Sequence, residues 1–92
     1  MTFRVTLYNQ HAMCGYHGEA RYPKAAYRAA LRNASKQFIT YRRTSSAEWS
    51  DLDGQREFDL LWADAFFSRR SNKYGSIHVS RGDGLGLELR KL

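Results

Sequence analysis

The 92-residue sequence predicts an α+β fold. It reads as a small single domain, a mainly antiparallel sheet of about four strands with two helices packed on it, in the order β(β)αβαββ. Three observations lead there. Phe3, Val5 and Leu7 alternate with Arg4, Thr6 and Tyr8, the period of a half-buried strand. Two internal stretches repeat apolar residues at helical spacing. The C-terminal stretch returns to alternation, with Leu85, Leu87 and Leu89 on one side.

The first strand is expected over residues 2–9. Residues 10–18 read as a loop or wide turn, and residues 19–22 as a short second strand. Pro23 suits the first turn of a helix, where its missing N–H costs nothing. Residues 24–37 are rich in alanine, and Tyr27, Ala30, Leu31, Ala34 and Phe38 fall on one face. Residues 38–43 (FITYRR) shift to strand-forming types. Residues 44–54 read either as a short helical turn or as an irregular loop, because Ser45 and Glu48 are spaced like a capping box. A second helix is expected over 55–70, with Phe58, Leu61, Trp62, Ala65 and Phe66 inward. Its early acids and late bases suit the helix dipole. Ser76–Ser80 forms a strand, residues 81–84 a turn, and the chain ends on a strand.

Composition excludes several classes. The longest apolar run is four residues, 60–63, far short of the roughly twenty that cross a membrane. The first ten residues carry no basic flank followed by an apolar stretch, so no signal peptide is expected. The single cysteine makes no internal disulfide, which favours a reducing compartment.

Charge is more informative. The net is +6, and eleven of the fifteen bases are arginine, whose planar fork matches phosphate and carboxylate. Six acids bunch in residues 48–64, which sum to −5; the rest of the chain sums to +11. A broad basic surface and one acidic patch are expected, and the balance favours a negatively charged partner.

The sharpest feature is Lys24, Arg28, Arg32 and Lys36, at i, i+4, i+8 and i+12. On a helix they form one winding ridge about 18 Å long. Like charges at this spacing repel. No acid intervenes, so the ridge suits a polyanion as well as it suits the wet face of an amphipathic helix. Arg42 and Arg43 at a strand end, and Arg69, Arg70 and Lys73 followed by Tyr74 after the second helix, add basic positions. Each alone is more often a helix cap or solvated end than a contact. Tyrosines near these bases offer stacking surfaces, although Tyr27 and Tyr41 fit the core better. Trp49, inside the acidic window, reads as a core plug or as an interface anchor.

Other motifs are weaker. His11, Cys14 and His17 have zinc-like spacing, but a structural site wants four ligands and only His78 remains, so no metal is expected. Cys14 lacks a helix N-terminus or motif to activate it, and no enzyme is expected. Gly82, Gly84 and Gly86 precede a strand, not a helix, so they read as a hairpin and not as a phosphate loop.

Over its whole length, from MTFRVTLYNQHAMCGYHGEARYPKAAYRAALRN through DLLWADAFFSRR to SIHVSRGDGLGLELRKL, the chain resembles phage anti-CRISPR proteins that block type I-F CRISPR–Cas systems. The likeness is one of overall sequence and size. It carries no motif, so no family residue transfers. It implies a non-enzymatic inhibitor in the host bacterial cytoplasm, without cofactor or small-molecule substrate. The implied partner is the multi-subunit RNA-guided surveillance (Csy) complex, protein subunits plus guide RNA, and the implied effect is a block of target DNA hybridisation. A DNA mimic should be acidic; this chain is basic. The expectation is therefore a wedge across protein and guide RNA, with the basic ridge toward RNA phosphate and the acidic window toward the complex's basic channel. The alternative is a small basic regulator acting on free DNA or RNA. A virion adaptor protein and an enzyme built on Cys14 complete the field.

Overall fold

The computed structural model describes residues 2–9, 14–34, 41–45, 48–52, 54–68, 76–80 and 84–92. In chain order they form β1 (Phe3–Asn9), β2 (Cys14–Ala20), α1 (Pro23–Asn33), β3 (Tyr41–Ser45), β4 (Glu48–Leu52), α2 (Gly54–Ser68), β5 (Ser76–Ser80) and β6 (Leu85–Lys91). The expected α+β class holds. A four-stranded antiparallel sheet runs β2-β1-β6-β5, and β3 and β4 make a separate two-stranded sheet.

The register sorts every strand residue of the larger sheet onto one of two faces. Val5 stands between Gly18 and Leu89, and Leu7 between Tyr16 and Leu87; Leu89 and Leu87 in turn face Ile77 and Val79. This face carries the core. Val5, Leu7, Leu85, Leu87, Leu89 and Ile77 are buried, under Ala26, Tyr27 and Ala30 of α1 and Phe58, Leu61 and Ala65 of α2. The helix α1 packs on β2 and β1, and α2 on β6 and β5, so the two helices share one side of the sheet. Of the predicted inward residues, Tyr27, Ala30, Phe58, Leu61 and Ala65 are buried and Leu31 and Ala34 half-buried; Ala26 joins them, and Phe38 lies outside the described residues. Trp62 and Phe66 are half-buried at the margin.

Gly18 sets how closely α1 approaches. A methyl group there would lie 2.3 Å from the Ala30 nitrogen and 2.6 Å from the Ala29 carbonyl carbon and Cβ. The helix backbone therefore rests on the strand, and only alanines fit beside it. At the end of α1, the Asn33 amide donates from Nδ2 to the His17 carbonyl at 2.8 Å. Gly84, at φ 97°, leads into β6 in a conformation that disfavours a side chain.

Two stretches differ from expectation. Residues 14–18 belong to β2, not to a loop. The apolar alternation that would have marked this strand is weak because its helix-covered positions include Gly18 and Ala20. Residues 44–54 contain a hairpin strand, β4. Ser45 and Glu48 pair across that hairpin instead of capping a helix, and Thr44 faces Trp49. The first helix stops at Asn33, and Ala34 is extended (φ −74°, ψ 138°). Residues 35–40, expected to finish that helix and open the next strand, lie outside the described residues.

Replacing Gly18 by alanine forces backbone apart from backbone. It is expected to cost about 2–3 kcal/mol of stability or more, read as a lowered urea midpoint. Substitution of Gly86, whose nearest neighbours would stand 3.5 Å or more from a methyl group, is the matched control and should be much milder.

Candidate functional site

On α1, Lys24, Arg28 and Arg32 are all exposed. The buried side of that helix is Ala26, Tyr27 and Ala30, and Arg28 lies almost opposite it at 100° per residue. The cations climb about 6 Å per step, so Lys24 and Arg32 stand about 12 Å apart. Among the described residues, no hydrogen bond or ion pair engages any of the three. The first turn of α1 contains no acid and has no side-chain cap, and Lys24 sits there against the helix dipole. Arg21 and Tyr22, just before the helix, are also exposed, Tyr22 by 71%. They extend the same basic surface and offer it a ring. The sequence reading passed over them, although an aromatic directly before an N-terminal proline has no helical face to bury it.

The remaining expected site residues are not brought into this view. Lys36 lies outside the described residues, as do Arg69, Arg70, Lys73 and Tyr74. The register sets Arg42 opposite Asp51, and Arg43 opposite Ser50, with Trp49 on the facing strand; the side chains of this hairpin lie outside the description.

The acidic window is partly internal. Asp59 Oδ1 accepts a hydrogen bond from the Tyr27 hydroxyl at 2.5 Å, joining α2 to α1. The Tyr27 ring stacks on Trp62 with centroids 5.0 Å apart and planes 2° from parallel, and Trp62 in turn meets Phe66 at 5.7 Å. Burial, and then the hydrogen bond to the Asp59 carboxylate and its charge, push the Tyr27 phenol far above its ordinary value. Asp59, although exposed like Asp64, is thus committed to the joint between the helices.

The opposite face of the sheet carries no helix from the described residues. It presents Arg4, Thr6 and Tyr8 from β1, Glu19 and His17 from β2, Glu88 and Arg90 from β6, and His78 from β5. Arg4 donates to Glu19 Oε1 from Nε at 2.8 Å and from Nη2 at 2.5 Å. Tyr8 is flanked by Gly15 on one neighbouring strand and by Gly86 on the other. Its ring stands edge-to-face with His78, centroids 5.8 Å apart, and remains 40% exposed. A shallow cleft of about 310 Å³ opens here, lined by Tyr8, His78, Ser80, Gly84, Gly86 and Glu88 among others. The zinc-like spacing does not converge on β2. Cys14 and His17 are three apart in one strand, so their positions belong to opposite faces.

Comparison with protein-family models, with curated proteins and with solved structures finds no match for this chain. No helix among the described residues is long and apolar enough to cross a membrane.

The Tyr27–Asp59 bond makes a testable statement about stability. Tyr27→Phe removes it and leaves Asp59 open to water, at an expected cost of about 1 kcal/mol at neutral pH. The folded phenol keeps its proton at pH values where the unfolded one, with its pKa of 10.0, ionises. The unfolded state then binds fewer protons, so wild-type stability falls as the pH rises above about 10. Urea unfolding of both proteins from neutral to alkaline pH should show the gap between them shrinking in that range. A constant gap would mean that the phenol ionises as freely in the fold as outside it.

Proposed function

We propose that this protein is a non-enzymatic inhibitor of a type I-F RNA-guided surveillance complex, acting in the host bacterial cytoplasm. It binds the protein subunits and the guide RNA together and blocks hybridisation of target DNA. The observation that carries this reading is the unneutralised ridge of Lys24, Arg28 and Arg32 on the outer side of α1, extended by Arg21 and Tyr22. Three cations in line, without an ionic partner among the described residues, match a run of phosphates, and each pairing releases a counterion. The likeness of the whole chain to type I-F anti-CRISPR proteins supplies the partner. The same ridge also suits free nucleic acid, so the alternative of a small basic regulator is decided by the partner and not by the surface.

The deciding experiment measures binding to guide-loaded type I-F complex and, beside it, to free RNA and DNA, at several salt concentrations. Tight binding to the complex, with weak and steeply salt-dependent binding to free nucleic acid, is the expected result. Tight binding to nucleic acid with none to the complex would leave the regulator. In the inhibition assay, paired charge reversal, Arg28→Glu with Arg32→Glu, is expected to weaken inhibition about tenfold or more. Circular dichroism should remain unchanged. Undiminished inhibition by this folded variant would remove the ridge from the interface.

A further inference from the structure

The cleft on the open face of the sheet differs from the ridge in chemistry and in position. Glu88 is half-buried at its wall. Among the described residues, no hydrogen bond or ion pair engages its carboxylate, although the chain holds fifteen lysines and arginines. Arg4, on the neighbouring strand, is taken by Glu19. Arg90, two residues on along the same face, makes no ion pair with it. Diagonally across the strands stands Tyr8, because Thr6 faces Glu88 and Tyr8 faces Gly86. Such diagonal neighbours lie about 7 Å apart. Gly86 gives the floor no side chain of its own, and His78, directly opposite Glu88 on β5, reaches over it, with Nε2 3.6 Å from where a Gly86 methyl group would lie.

We propose that this cleft receives an arginine side chain of a protein partner, its guanidinium lying on the Tyr8 ring and donating to the Glu88 carboxylate. An exposed aromatic ring beside a carboxylate that is unpaired among the described residues is complementary to a planar cation that carries a fork of donors. Lysine offers the charge without the plane. A phosphate is disfavoured by Glu88, and no lysine or arginine lines the cleft among the described residues. The cleft therefore selects against the polyanion that the ridge selects for. It lies on the helix-free side of the sheet, whereas the ridge points outward from the helical side, so the two can be occupied together. The assignment stands independently of the partner proposed above.

The test uses the full chain, isotope-labelled, titrated by NMR with N-acetyl-arginine amide, then with the lysine analogue, then with cytidine monophosphate. Saturable shifts at Gly84, Gly86 and Glu88 are expected with the arginine probe, and a several-fold weaker response with lysine. Glu88→Gln should weaken arginine binding about fivefold or more while leaving the rest of the spectrum in place. Tyr8→Leu should weaken it less, by about threefold. Should Tyr8→Leu disturb the fold, the Glu88→Gln comparison decides alone. No saturable shift with arginine, equal response to arginine and lysine, or unchanged affinity in Glu88→Gln would overturn the proposal. Tighter binding of the nucleotide than of arginine would overturn it in favour of a nucleobase.

Discussion

The close approach of α1 to β2 at Gly18 is the constraint on which most of the molecule depends. With the helix backbone resting on the strand, α1 admits only small residues there, and Ala29 and Ala30 supply them. Tyr27, the one large side chain buried on α1, projects toward α2 and meets Trp62 and Asp59. One contact without side chains thus fixes the depth of α1, and one aromatic stack with a hydrogen bond fixes its partner helix. The Asn33 amide on the His17 carbonyl holds the far end.

This arrangement makes the molecule two-sided. Both helices cover one face of the sheet, which frees the outer side of α1 for cations and leaves the other face without a helix from the described residues. The two exposed surfaces have opposite preferences. Among the described residues, Lys24, Arg28 and Arg32 have no ionic partner, and neither does Glu88, which lies beside an aromatic ring. Both kinds of surface would suit the inhibitor proposed above, seated where protein and RNA meet. The acidic window contributes less to this contrast than its charge suggests, because Asp59 is spent holding the helices together.

How far the sequence shows all this depends on what lies behind each residue. β1, β6 and α2 pack large apolar side chains against the core, so their periodicity is plain. β2 was mistaken in part for a loop because its inward positions are small, and they are small because a helix backbone occupies the space. A strand covered that closely loses the alternation by which strands are read. The hairpin of β3 and β4 was missed for another reason: Ser45 and Glu48 have the spacing of a helix cap as well as that of a closing strand pair, and only pairing distinguishes them. The ridge was legible because helical spacing alone puts Lys24, Arg28 and Arg32 in line; Lys36, its fourth expected member, lies outside the described residues. The cleft was not legible, since it joins residues from three strands, and nothing local in Tyr8, His78 or Glu88 announces their meeting.

The separation between what holds α1 and what α1 displays gives the ridge its meaning. Local electrostatics do not favour this helix: its first turn has no acid and no side-chain cap, and Lys24 opposes the dipole. Like charges at successive i+4 positions add a few tenths of a kcal/mol of repulsion each. The helix forms nonetheless, because Pro23 presets its first turn, its alanines favour the conformation, and its inward face is anchored at Gly18 and Tyr27. None of those anchors involves Lys24, Arg28 or Arg32. Negative charge near the first turn would relieve the dipole and not offend it. The cations are therefore kept at a small cost to the helix that carries them, a cost that the phosphate-bearing partner proposed above would offset.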